Sequence, residues 1–308
     1  MGLEYRYLPA DRFYVGHDYS PSKIPTAHHM PIHYRISTLV TRVEYGFSNR
    51  LSVGLLVAGA TGTESREEDD GLRHSQSATG LGDAVVVGSA WLLDPRDHPT
   101  GNVRLGLGVK APTGNNQVMG SFFTATGVER RPVDPAIQPG DGGWGTVVQI
   151  EAFQALWSRT SAYVAGSYLL NPQVHSEVLL HPPATTATVP VSVADEYSAH
   201  AGLSYAVWPA RQVTLSLGGR VDGVPVRDLL GYSDTSFRRP GYVIYAEPAV
   251  AFTLSRSPLS PGGHTFTLSV PIAVDQNRKA SMFDVALGRH GGGDFARFLV
   301  FLGYSKRW

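Results

Sequence analysis

The chain has 308 residues, 26 Lys and Arg against 26 Asp and Glu, and no cysteine. Zero net charge argues against a nucleic-acid-binding surface, which needs a local excess of basic residues, and the missing cysteines remove disulfide scaffolds, zinc ribbons, iron–sulfur clusters and catalytic thiols. A hydrophobic fraction of 42% is too apolar for disorder, and no run approaches the roughly 18 uninterrupted apolar residues of a spanning helix.

The first residues, Met1 to Tyr7, lack the apolar core of a signal peptide. That leaves an intracellular chain or a mature form whose leader has been removed, and the pattern that follows favours the second. Two-residue alternation runs through most of the chain. In Val103-Arg104-Leu105-Gly106-Leu107-Gly108-Val109-Lys110-Ala111 the odd positions are apolar and the even ones charged or glycine. Val213–Gly218, Phe266–Val270 and Tyr197–Val207 repeat it. Such spacing sends one class of side chain to each face of a β-strand.

The alternation predicts twelve strands, near 3–9, 30–46, 51–60, 81–93, 102–112, 144–157, 161–171, 195–207, 212–222, 241–254, 264–275 and 295–304. Connections at Ser48-Asn49, 94–101, 158–160, 209–210 and 256–263 are short. Those near 10–29, 61–80, 113–143, 172–194, 223–240 and 276–294 are long, polar and rich in Gly and Pro. Short and long alternate without a break, as periplasmic turns and extracellular loops do in outer-membrane barrels. The expectation is all-β: one domain over residues 1–308, an up-and-down antiparallel transmembrane β-barrel.

The charges of these strands fall on one face. Asp83, Arg104, Lys110, Glu151, Glu196, His200, Arg220, Asp222, Glu247, Asp275 and Arg297 are expected to point inward. A soluble sandwich also has two-faced strands, so aromatic placement decides. Tyr197 and Tyr205 lie eight residues apart on the apolar face, and Tyr242 and Phe252 ten apart. On tilted strands these pairs stand about 20–25 Å apart, close to the apolar band of such barrels, and Tyr favours its borders. The last strand ends at Trp308 with Tyr304, Leu302 and Val300 alternating before it, interrupted by Lys306.

Three segments resemble an outer-membrane family associated with the meta-cleavage pathway of phenol degradation: Gly80-Leu81-Gly82-Asp83, Lys110-Ala111-Pro112-Thr113-Gly114 and Gln138-Pro139-Gly140. Tyr45-Gly46-Phe47-Ser48-Asn49-Arg50-Leu51-Ser52 is similar to that family's early hairpin. Ala111 stands where the family has leucine. The resemblance implies an outer-membrane barrel and transport of hydrophobic or aromatic compounds. On the residues alone, Asp83 and Lys110 are expected to pair across strands near the outer rim, a contribution of about 0.2–1 kcal/mol, and Pro112 suits a strand end.

Chemistry is sparsely signalled. Ser198 and His200 have the two-residue spacing of an outer-membrane phospholipase, in reversed order and facing the lumen. An orienting group and an oxyanion hole are also needed. His28-His29 point opposite ways on an extended segment. Glu67-Glu68-Asp69-Asp70 lacks the spaced ligands of a calcium loop, and His290-Gly291-Gly292-Gly293 has no nucleophile elbow beside it. No catalytic residue, metal or cofactor is assigned.

The expected function is a passive outer-membrane channel for small, hydrophobic or aromatic solutes, in contact with the lipid bilayer and with no nucleic-acid partner. Its lumen charges would set selectivity, and the 113–143 loop, through Phe122 and Phe123 with Trp144 beside them, would form an inward constriction. The alternative is a structural barrel with a sealed lumen that binds another envelope protein; a lipid hydrolase ranks below both.

Overall fold

The computed structural model describes residues 1–176, 178–180, 189–254 and 263–306. The alternation is realised as an antiparallel sheet that closes on itself into a barrel of twelve strands. In chain order these are β1 (Gly2–Val15), β2 (His33–Gly46), β3 (Leu51–Glu67), β4 (Arg73–Leu81 continued by Ala84–Trp91), β5 (Gly101–Ala111) and β6 (Gly145–Trp157). Then follow β7 (Thr160–Leu170), β8 (Glu196–Trp208), β9 (Val213–Val224), β10 (Gly241–Leu254), β11 (His264–Ser269 continued by Ile272–Arg278) and β12 (Gly293–Ala296 continued by Val300–Lys306). Closure is at β1, where Leu3 stands opposite Thr41 of β2 and Tyr304 of β12. A closed sheet has no free edge, which lipid demands because it offers no partners to unpaired N–H and C=O groups.

The outer surface is greasy. Leu107 is 65% exposed and Leu217 64%, whereas the Arg104 and Glu247 side chains are 12% and 7% exposed. Leu39, Val43, Leu105, Leu203 and Leu302 share the outward face, and exposed Tyr45, Phe47, Trp157 and Trp208 ring the short-turn end. A soluble protein does not display an apolar band of this extent; a transmembrane barrel requires one.

Three expectations about the strands are corrected. The loop near 61–80 is mostly strand, since β3 and β4 stay paired from Gly59–Leu81 out to Glu67–Arg73. Its Thr, Ser, Gln and Glu side chains carry no lipid-facing alternation because this hairpin rises beyond the apolar band. Asp275 is not on the inward face. A bulge shifts the register between Ile244 and Tyr245, so Asp275 stands opposite outward-facing Ile244 and meets His17 Nδ1 at 2.9 Å. One extra residue reverses the parity of everything beyond it. Arg297 lies in the break of β12, exposed and 2.8 Å from Asp11. Trp308 and residues 256–262 of the expected turn lie outside the described residues.

The outer half of the barrel is filled. Phe13, Tyr34, Val243, Tyr245 and Leu299 point in from the wall and pack against Ile24, Ile32, Val133 and Ile137 from the loops. The wall itself has a seam. Beyond the breaks at Val270-Pro271 and Arg297–Leu299, the outer part of β11 pairs with β10 and that of β12 with β1. The two meet at an Ile272–Phe298 bridge, with Ala273 N donating to Arg297 O at 2.8 Å and Leu299 N to Pro271 O at 2.9 Å. Pro271 has no N–H to extend the ladder.

Candidate functional site

Strand β5 ends at Ala111, where Pro112 stops the ladder, and the chain enters the 113–143 loop. The three family-like motifs converge here. Asp83, largely buried in the break of β4, accepts from Gly114 N at 2.8 Å and from Asp141 N at 3.2 Å, so one carboxylate holds both ends of the loop. Lys110 closes the group with an ion pair to Asp141 and lies 3.9 Å from Asp83. The glycines permit the close approach: a Cβ on Gly114 would fall 2.8 Å from Gly140 Cα, and one on Gly82 3.0 Å from Pro139 O. Gln138 ties the interior of the loop, its Oε1 accepting from Val118 N at 3.0 Å and its Nε2 donating to Val118 O at 3.1 Å.

The loop then divides. Its hairpin, Met119–Thr124 with Gly127–Pro132, carries Phe122 and Phe123. Phe122 lies under the Arg66 guanidinium at 5.2 Å and Phe123 stacks on His74 at 3.8 Å, so both rest on the outer extension of β3 and β4. Trp144 is exposed. The segment that enters the lumen is 133–141: Val133 and Ile137 are buried, and Ile137 sits directly on Gly62 of β3. A Cβ at Gly62 would lie 2.7 Å from Ile137 Cβ. Gly62→Val is therefore expected to push the loop off the wall at a cost of about 1–3 kcal/mol, read as faster proteolysis within 113–143 while the barrel stays folded.

Asp134 pins this segment from above. Both its oxygens receive the Arg239 guanidinium, at 2.7 and 2.6 Å, and Tyr34 O–H donates to it at 3.3 Å. Burial alone would raise the Asp134 pKa, but Arg239 overrides that and holds it at about 2. The loops of residues 225–240 and 113–143 are thereby joined across the barrel mouth.

Below the apolar fill the lumen is polar, and its charges are grouped rather than scattered. On β5 and β6, Arg104 pairs with Glu151 at 3.6 Å and with Glu44 of β2, and donates to Ser52 Oγ at 2.9 Å. On the opposite wall, Arg220 lies 2.7 Å from Asp222 and 3.9 Å from Glu247, and its guanidinium stands 4.9 Å from the Phe301 ring. His200 Nδ1 is 3.3 Å from Glu247, which also accepts from Ser269 Oγ at 2.9 Å. Glu196 is exposed at the start of β8 and has no ion pair among the described residues. Ser198 Oγ takes a bond from Arg220 at 3.3 Å while His200 is occupied by Glu247, so the two are not joined as nucleophile and base. No group of three or more potential metal ligands occurs among the described residues.

Glu44, Asp134, Asp141 and Arg239 escaped the reading of the sequence. Glu44 shares the even, inward parity of Arg42 on β2 and was open to detection; the other three sit in loops, where no periodicity marks direction.

A solved outer membrane channel from Pseudomonas putida F1 matches with a TM-score of 0.59 at 14% identity, over 100% of this chain and 94% of that one. The fold is that of an outer-membrane β-barrel. A Pseudomonas aeruginosa FadL homologue aligns with a TM-score of 0.45 at 10% identity (98% of this chain, 89% of that one). The P. putida toluene transporter TodX gives 0.44 at 10% identity (100% and 89%). No protein-family model and no curated protein sequence matches the chain.

Proposed function

We propose that the barrel is a passive outer-membrane channel for small, predominantly apolar solutes. The observation that carries this reading is the division of the lumen. The outer half is lined by Phe13, Tyr34, Val133, Ile137 and Leu299, a medium that strips hydration from ions but accepts apolar molecules. The inner half carries Arg104 between Glu44 and Glu151, and Arg220 with His200 beside Asp222 and Glu247, with Glu196 exposed beside them. These groups keep the passage wet, and because carboxylates outnumber guanidinium groups among them, they act as selectivity groups through hydrogen bonding and a field that disfavours anions. Asp83 and Lys110 anchor the loop. The seam between β11 and β12 offers a solute held in the outer half a way out through the wall, because beyond the Ile272–Phe298 bridge each of the two strands pairs with its other neighbour instead.

Planar-bilayer recordings and liposome uptake test this together. The expected result is low ion conductance with measurable uptake of small aromatic solutes; silence in both assays rejects the channel. Ser198→Ala is expected to leave uptake unchanged and to alter no lipid hydrolysis, since Ser198 is held by Arg220.

A second reading, a sealed barrel that presents its loops to another envelope protein, draws on the Asp134–Arg239 tie across the mouth. Solute-independent silence together with a stoichiometric partner in native-membrane pulldowns would favour it.

A further inference from the structure

The outer wall carries a groove that neither the lumen nor the loops use. It has a volume of about 450 Å³ and runs across β10, β11, β12, β1 and β2. Register explains its shape. Val250, Leu268, Leu302, Tyr5 and Leu39 stand side by side as one outward row, and Phe252, Phe266, Tyr304 and Leu3 form the next row toward the short-turn end. The aliphatic residues make a low floor, and the rings of Phe266 and Tyr304, 5.2 Å apart, raise one end. A closed barrel is convex outside, so a concavity here is a local device of these side chains.

One row further toward the short-turn end the chemistry changes. His264 and Lys306 are register partners on the same outward face, and His264 Nδ1 lies 2.8 Å from the Tyr304 hydroxyl. From His264 to Leu268 the strand advances four residues, about 13 Å, which fits within one leaflet of a hydrocarbon core about 30 Å thick. An apolar trough of one-leaflet depth, ending in an ammonium and an imidazole at the periplasmic border, matches a lipid with a phosphate at its head.

We propose that this groove is a binding site for one diacyl phospholipid of the periplasmic leaflet. One acyl chain lies along Leu268 and Leu302 between the aromatic rings, and the phosphate rests on Lys306 and His264. A lipid held here packs beside the lower end of the β11–β12 seam and braces the part of the wall where the ladder is interrupted.

The test uses the full chain extracted in a mild maltoside detergent, with native mass spectrometry and lipid-phosphate analysis before and after addition of dioleoylphosphatidylglycerol. The expected result is one phospholipid retained per barrel. Retention should fall at least fivefold in Leu302→Trp, which fills the trough with an apolar side chain, and in Lys306→Glu, which repels the phosphate. Leu107→Trp on the far wall should leave it unchanged. Leu268→Phe provides a milder filling, and heat-modifiable gel migration verifies folding for each variant. Wild-type barrels that retain no phospholipid, equal retention in folded Leu302→Trp or Leu268→Phe, or a dimer mass that disappears in those variants would overturn the proposal, the last by assigning the groove to a second copy. The readout is lipid mass, so its outcome is separate from that of the conductance and uptake assays.

Discussion

Asp228→Ala should loosen the loop segments of residues 189–195 and 225–240 while the barrel below stays closed. Asp228 accepts both arms of the Arg238 guanidinium, at 2.9 and 2.6 Å, and the two side chains are 0% and 2% exposed. It also takes the Asp195 amide at 2.8 Å. Asp195 in turn binds Tyr168 O–H at 2.8 Å, Asn171 N at 2.7 Å and Leu229 N at 3.0 Å. Asp195 and Asp228 together therefore knit the two loops to the ends of β7 and β8, and Asp228 is the one that holds Arg238. Removing it leaves a buried guanidinium whose Nε already lacks a partner, and breaking such a pair from one side costs about 3–5 kcal/mol. Trypsin is expected to cut at Arg227 or Arg238 in the variant but not in the parent, with heat-modifiable migration unchanged. The double substitution Asp228→Leu, Arg238→Met should recover much of the protection, because an apolar pair carries no desolvation cost. Resistance equal to the parent in Asp228→Ala would refute the role given to this network.

What the sequence reveals and what it hides divide along the membrane boundary. In β5 and β8 the wall has lipid on one side and water on the other, so each residue is constrained by its parity. The alternation of Val103–Ala111 and Tyr197–Val207 therefore locates both strand and face. Beyond the apolar band that constraint ends: Thr61–Glu67 and Arg73–Thr79 are polar on both sides, and the hairpin they form reads as a loop. A bulge is equally silent, which is why Asp275 changes face. The short motifs at Gly80, Pro112 and Gln138 are visible as a resemblance, but their physical role emerges only when Asp83 is seen bonding Gly114 and Asp141. For the lumen, the wall residues Arg104, His200, Arg220 and Glu247 were legible because strands fix direction. The loop partners were not: Asp134 and Arg239 lie 105 residues apart with nothing local to pair them.

That pair sets the second large effect. Asp134→Asn keeps the shape of the side chain but removes the charge that holds Arg239, so residues 133–141 should leave the inner wall. A pKa held at about 2 in the folded chain, against 3.8 for the unperturbed group, corresponds to about 2–3 kcal/mol of stability. Because the folded value is depressed, this contribution is complete above the unfolded value and is lost as pH falls through about 2. The parent should thus keep its loop seated from pH 8 down to pH 4 and release it only in stronger acid, whereas Asp134→Asn should be released throughout. Tyr34, buried against Asp134 and 3.3 Å from Glu64, whose carboxyl burial pushes up to about 7, supplies the signal: once Glu64 is protonated, the near-ultraviolet circular dichroism of Tyr34 should be flat over pH 5.5–4 in the parent and diminished there in the variant. If the channel reading holds, the same variant should conduct ions well above the parent, since Val133 and Ile137 no longer fill the passage. A parent signal that collapses between pH 5.5 and 4, or a variant with the parent's signal, would mean that the apolar contacts of Val133 and Ile137, rather than the carboxylate, keep the loop in place.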